Sequence, residues 1–470
     1  MASGFLVSSP PASALDLNTI SVTSSENIST LIENKIANVY LNIFKPNQLI
    51  FFKVNFNNSE TLTVINQTSK VIIPSGSGIQ FSVKSGAFID SSNISKPIWT
   101  IKSENGQSLV QFFSTPKDFP KISFIGDSSL IKGKDILSTP VVSDGTYAID
   151  SRGTNVKFFV KSPNNLIGFR KLSDGPVNQG FGGTAAYAYL EQQDFSVSAT
   201  SPGIWRLLDS NFQLVQRINQ VKTKFGNVLP EGHGMTISSS GNPIVITTVT
   251  RSVDSTWLKR SYKLPILDCD IAEIKNGVAI KEFSFWDWAV ANKSISEPLL
   301  DNMQLFNDPQ NPTSSPIDIC HANSLEYYKF DNTYLVSLRS PSILIILDSN
   351  LKTVKQVINT DTSLQHFARY VSKTHITALG NFTFGEVSKF LDFKLVNGTW
   401  KLTEIPFPVH VTYCGNTEYL DSTHIWLGGG CGAFAPGTLG AVYKLDGSSM
   451  TLMGAMKMSG LNYSYRADVI

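Results

Sequence analysis

Apolar and polar positions alternate with a period of two through much of the chain, the signature of half-buried strands. Leu49-Ile50-Phe51-Phe52-Lys53-Val54-Asn55-Phe56 and Thr61-Leu62-Thr63-Val64 read this way. Ile79-Gln80-Phe81-Ser82-Val83 alternates behind Pro74-Ser75-Gly76-Ser77-Gly78, a hairpin signal. The text from Asn38 to about Phe113 therefore predicts a small antiparallel β-sandwich, placed over 31–118. Residues 1–30, rich in Ser, Pro, Thr and Asn, read as an extended N-terminal arm. Phe119-Pro120 marks the boundary to a second domain, 119–470.

In that second domain an aliphatic pair, an Asp and a turn recur. The copies are Ala148-Ile149-Asp150, Leu207-Leu208-Asp209, Ile266-Leu267-Asp268, Ile346-Leu347-Asp348, Phe390-Leu391-Asp392 and Lys444-Leu445-Asp446. An Asp at a strand end makes the side-chain-to-backbone turn that a tight hairpin needs. The intervals are 59, 59, 80, 44 and 54 residues, and repeats of this length mark propellers or solenoids. Helical periodicity is sparse, which leaves a β-propeller, and six copies predict six blades. The fold class expected is all-β: a six-bladed propeller preceded by a small sandwich.

A histidine recurs in step with the blades. Glu231-Gly232-His233, His321 and Gln365-His366 each stand ahead of a strand, a turn and a second strand. Equivalent blade positions converge on the axis, so His233, His321 and His366 are expected to meet there. His321 and Asn323 stand at i and i+2, and the strand after the turn at Asp331-Asn332 ends on Arg339. In an extended segment the i and i+2 side chains face one way, so one hairpin is expected to present His321, Asn323 and Arg339 together. The stretch 283–316 breaks the blade rhythm and reads as an insertion, either a lid over the site or a packing element.

Composition sharpens the picture. Charged residues make up 16% of the 470, well under the usual quarter, so the polar surface is built from Ser, Thr and Asn. A net charge of +2 without a basic run argues against a nucleic-acid partner. No apolar run is long enough to span a bilayer, and the first residues carry no signal-peptide pattern. Cys269, Cys320, Cys414 and Cys431 lack metal-type spacing, so neither a zinc site nor a disulfide framework is expected, a Cys414–Cys431 bridge being the one pairing worth weighing. Three histidines could hold zinc, but Arg339 beside them favours an anion. Arg339 could also pair with Asp318 or Glu326. His375, His410 and His424 read as ordinary surface or core residues.

Asp318-Ile319-Cys320-His321-Ala322-Asn323-Ser324, with Ser337-Leu338-Arg339 behind it, resembles the signature of the PAPS-independent arylsulfotransferases. Gln365-His366 and His233 match further positions of that family, and the similarity extends at low identity over nearly the whole chain. Three places differ: Ile319 stands where the family carries Trp, Phe367 where it carries an acidic residue, and the family's downstream F-D-N-G text is reduced to Leu379-Gly380-Asn381. The resemblance implies transfer of a sulfuryl group from an aryl sulfate to a phenol through a sulfohistidine, with no cofactor and no metal. It casts His366 as nucleophile, with His321 and Arg339 as its catalytic companions and His233 and Asn323 binding substrate. The partners implied are a small aryl sulfate and a phenol, with an outside or periplasmic location by analogy. The alternative is a non-catalytic propeller, a structural, receptor or glycan-binding component such as a virus particle uses. The low charge and the N-terminal arm suit it, and the N-terminal domain could then mediate a homo-oligomer or larger assembly.

Overall fold

The computed structural model describes strands within residues 21–114. From residue 120 on it describes all but the loops 173–184, 194–200, 302–315, 382–386 and 432–436 and several shorter turns. The chain divides into two compact units, Met1–Phe119 and Pro120–Ile470. Among the described residues of the first unit, one sheet has three strands and another six. Most of the expected arm, residues 1–20, lies outside the described residues. Its remainder is not wholly extended arm, because Ser21–Ser24 pairs antiparallel with Leu49–Asn55.

The second unit is all-β in a propeller-like arrangement. Its described residues form six sheets of four or more strands, largely antiparallel and successive along the chain. The innermost strands are Leu166–Lys171, Pro230–Ile237, Ala322–Tyr328, Gln365–Ser372, Asn416–Tyr419 and Leu461–Val469. Each touches the next, and the last touches the first. The ring closes twice: the C-terminal strand Leu461–Val469 pairs with Asp135–Val142 as the inner edge of the first sheet. Ile122–Gly126 adds to the outer strand Ser449–Met458 of the last.

Burial explains the sequence pattern. Every residue of Pro230–Ile237 and Ala322–Tyr328 is buried, so these inner strands carry no alternation. The outer strand Thr399–Pro406 alternates between exposed and partly buried positions along most of its length. The Leu-Asp repeat has one structural meaning: each copy lies in, or ends, the third strand counted outward from the axis. Apolar clusters fill the gaps between consecutive sheets, as Leu335, Leu344, Ile376 and Leu391 do between the fourth and fifth.

The closing strand constrains its neighbours. Gly428-Gly429-Gly430 runs against it, and Gly430 N donates to Ser464 O at 2.7 Å. A Cβ on Gly428 would meet Ala467 O at 2.1 Å, and Gly429 has φ +62 with Arg466 Cα 2.5 Å from such an atom. This triplet is a packing necessity of ring closure.

The insertion forms two helices, α1 (Phe285–Ala291) and α2 (Lys293–Asp301). Ser284 caps α1 by accepting from Asp287 N, and Trp286 N donates to Asp268 Oδ1 at 2.9 Å. Phe285, Trp286, Ala289 and Leu300 join the apolar cluster between the third and fourth sheets.

All four cysteines are paired, which corrects the expectation of no disulfide framework. Cys269 bonds Cys320 across 51 residues and Cys414 bonds Cys431 across 17. Spacing could not show the first pair: Ile317–Asp318 runs parallel to Ile266–Leu267, and only that non-local pairing brings the two sulfurs together. Each bridge is expected to contribute about 3–4 kcal/mol by restricting the unfolded chain. Urea unfolding with and without a reductant measures this. Cys269 and Cys320 are buried to 3% and 0% exposure, whereas Cys431 reaches the wall of an open cavity. Graded thiol treatment with alkylation should therefore open Cys414–Cys431 first.

Candidate functional site

A cavity of about 530 Å³ sits against the inner strands of the second unit. His233, His321, Arg339 and His366 all line it. None of its lining residues comes from the helical insertion.

Each imidazole is held by its Nδ1. Glu231 accepts from His233 Nδ1, and its second oxygen accepts from His233 N at 2.7 Å. Asp318 grips His321 the same way, from N at 2.9 Å and from Nδ1 at 2.6 Å. That two-point hold fixes His321 at φ +45, a backbone region costly for a residue other than glycine. His366 Nδ1 meets Asn381 Oδ1 at 2.7 Å and Leu364 O at 2.9 Å. The Asn381 amide is oriented because its Nδ2 donates to Val411 O and Cys414 O. All these Nδ1 partners are acceptors, so Nδ1 carries the proton and each neutral ring keeps its lone pair on Nε2.

The three rings differ in charge environment. Among the described residues His366 has no carboxylate partner, and burial, then the charges of Arg339, His321 and Arg466, hold its pKa well below 6.5. Burial also lowers His233, though Glu231 pulls it upward. The rings of His233 and His321 meet edge to face, with centroids 5.1 Å apart. His366 is thus kept neutral. The expected consequence is an imidazole that stays unprotonated through pH 6.5. Titration of its ring signals by NMR should show protonation only at distinctly lower pH. The same shift links to folding: the unfolded imidazole binds a proton near pH 6.5 and the folded one does not. Its contribution to stability is therefore complete above about pH 6.5 and is lost as pH falls below that value.

Arg339 supplies a cation to the same cavity. Its backbone is tied down, N donating to His321 O at 3.1 Å. Its Nε is buried with no hydrogen-bond partner. Asp318 is committed to His321, and Glu326 accepts from Tyr370 N at 2.7 Å. Among the described residues Arg339 makes no ion pair. Burial lowers its pKa, the mark of a guanidinium stripped of water.

Asn323 departs from its expected place. It is 0% exposed and does not line the cavity. Its Nδ2 donates to Gln365 O at 2.6 Å, which ties the fourth sheet to the fifth just before His366. Alternation fails here because His321 lies outside the strand in a left-handed conformation and the ladder slips between Ala322 and Ser324. Asn323 is a positioning residue.

Several residues of the site carry no signal in the sequence motifs. Arg466, on the closing strand, donates from Nη1 to His233 O at 3.2 Å and from Nη2 to Asn323 O. Its guanidinium carbon lies 4.7 Å from the ring centre of Phe367, and Arg369 covers that ring at 4.1 Å. Phe367 thus stacks between two guanidinium groups, while Asn381 takes up the orienting of His366 that a carboxylate at 367 would have been expected to perform. Tyr465 also lines the cavity, its ring 5.1 Å from that of His233. His375 pairs with Asp392 and His424 with Asp421, and neither lines the cavity. Cys269, Asp318 and Cys320 cluster closely, but both sulfurs are spent in a disulfide.

No protein-family profile and no curated protein matches the chain. Among solved structures, a candidate 6-phosphogluconolactonase from Bacteroides uniformis is similar at 9% identity and a TM-score of 0.35, over 87% of this chain and 99% of its own. A functionally unknown protein from Desulfotomaculum acetoxidans is similar at 10% identity and a TM-score of 0.39, over 79% of this chain and 95% of its own. Likeness at this level carries no argument about activity. Among the described residues no helix is long and apolar enough to cross a membrane.

Proposed function

We propose that this chain is an aryl-sulfate sulfotransferase, built as a six-bladed propeller behind a small β-sandwich. In this reading His366 carries the sulfuryl group between donor and acceptor. The observation that carries the reading is the pairing in one cavity of an unpaired, desolvated guanidinium with a neutral imidazole whose Nε2 is free. Arg339 offers two parallel donors to the sulfuryl oxygens. Nε2 of His366 attacks sulfur, the S–O bond breaks, and aryloxide leaves; a phenol then takes the sulfuryl group back from nitrogen. His233 and His321 stand on the same cavity wall, and His233, whose Nδ1 is held by Glu231, becomes a donor to the same oxygens when an approaching anion raises its pKa. Asn323 and Asn381 position the nucleophile. No step calls for a cofactor, and the two disulfides fit an oxidising compartment.

The test is simple. Purified protein is mixed with 4-nitrophenyl sulfate and a phenol acceptor. Release of nitrophenol together with sulfation of the acceptor supports the reading, and absence of both rejects it. A second reading, a non-catalytic receptor or glycan-binding propeller, draws on Tyr413 and Tyr463. They stand 52% and 37% exposed on the cavity lining, where their rings could stack on a sugar. Ligand binding without turnover would favour it.

A further inference from the structure

An aryl sulfate presents two kinds of oxygen. The terminal oxygens carry negative charge throughout, while the bridging oxygen gains charge only as its bond to sulfur breaks. Arg339 and the imidazoles answer the first demand. We propose that Tyr465 answers the second: its hydroxyl donates a hydrogen bond to the bridging oxygen as aryloxide forms, which makes it a catalytic residue of the sulfuryl transfer on which this inference rests.

Four observations converge on that hydroxyl. Tyr465 lies on the closing strand and lines the cavity. Its ring meets His233 edge to face at 75°. Its oxygen accepts from Arg466 Nη2 at 3.4 Å, and Arg466 is itself anchored on His233 O and Asn323 O. The hydroxyl's own proton has no acceptor among the described residues, so it is available to a ligand. A hydroxyl that accepts from a guanidinium is a stronger donor in turn.

The surroundings favour a donor over a base. Burial pushes the Tyr465 phenol up to about 12, so its proton stays in place at any working pH. Val141, Leu166 and Ile167 line the same cavity and offer an apolar wall to an aryl ring. The step balances without a proton transfer. The lone pair of Nε2 forms the N–S bond, and the S–O pair leaves on the aryloxide. The products are a zwitterionic sulfoimidazole and one phenolate anion, with the charge of the starting ester conserved.

A donor to the leaving oxygen matters most when the leaving group is a poor one. Tyr465→Phe keeps the ring against His233 and removes only the hydroxyl. For phenyl sulfate its kcat/KM is expected to fall about 10²-fold, the usual effect of removing one oxyanion donor. For 4-nitrophenyl sulfate, whose nitro group already spreads the charge, the fall is expected to stay within about threefold. Equal losses with both donors, or no loss with either, would overturn the role of Tyr465 while leaving the sulfotransferase reading intact. A wild-type protein that releases phenol from neither ester, or a His366→Ala variant as active as wild type, would overturn both.

Discussion

His366→Ala is expected to lower phenol release from an aryl sulfate by at least about 10³-fold, in line with the loss of a nucleophile elsewhere. The protein should remain folded. His366 is buried to 3% exposure, yet its polar contacts are few. Asn381 keeps its two bonds to Val411 O and Cys414 O, and Leu364 O and the freed Asn381 oxygen can turn to water in the enlarged cavity. A melting curve beside the rate separates loss of chemistry from loss of fold. A variant that stays folded and keeps its rate would mean that another group takes the sulfuryl, or that none does.

Arg339→Ala is expected to cost about 10²–10³-fold in kcat/KM, since it removes the cation that meets the sulfuryl oxygens. Its effect on stability should run the other way. Nε is buried without a partner and the group makes no ion pair among the described residues, so the folded state carries a desolvation cost that Asp318 offsets only in part. The variant should unfold at the same or a higher temperature, a trade of stability for function common at active sites. Arg339→Lys keeps the charge but loses the flat two-pronged donor, and only partial activity should return. A variant that unfolds earlier and keeps its rate would show that Arg339 is a structural residue.

Much of this architecture was legible because it is local. The Leu-Asp copies all mark third strands, although only some make the turn: Asp348 accepts from Lys352 N and Thr353 N, while Asp150, Asp268 and Asp392 lie within their strands. The three histidines could be aligned because each sits at the same point of a repeating unit. Asn323 misled because i, i+2 alternation assumes an unbroken strand, and the left-handed His321 with the slipped ladder beyond it breaks that assumption. Glu231 and Asp318 stood two and three residues from their histidines, a spacing that could have exposed both pairs. Asn381, Arg466 and Tyr465 could not be found this way. Asn381 follows the strand that pairs with that of His366, whereas Arg466 and Tyr465 reach the site through ring closure, which joins residue 233 to residue 466. The Cys269–Cys320 bridge is hidden because its loop spans 51 residues and closes only when Ile317–Asp318 pairs with Ile266–Leu267.

The central claim is that His366 Nε2 becomes covalently sulfated. Protein mixed with 4-nitrophenyl sulfate in the absence of any acceptor, digested at alkaline pH and analysed by mass spectrometry, tests it directly. The account predicts a gain of one SO3 unit on the peptide that carries His366, lost again when a phenol is added. An unmodified His366 peptide while nitrophenol is being released, or the SO3 unit on a different residue, would contradict it.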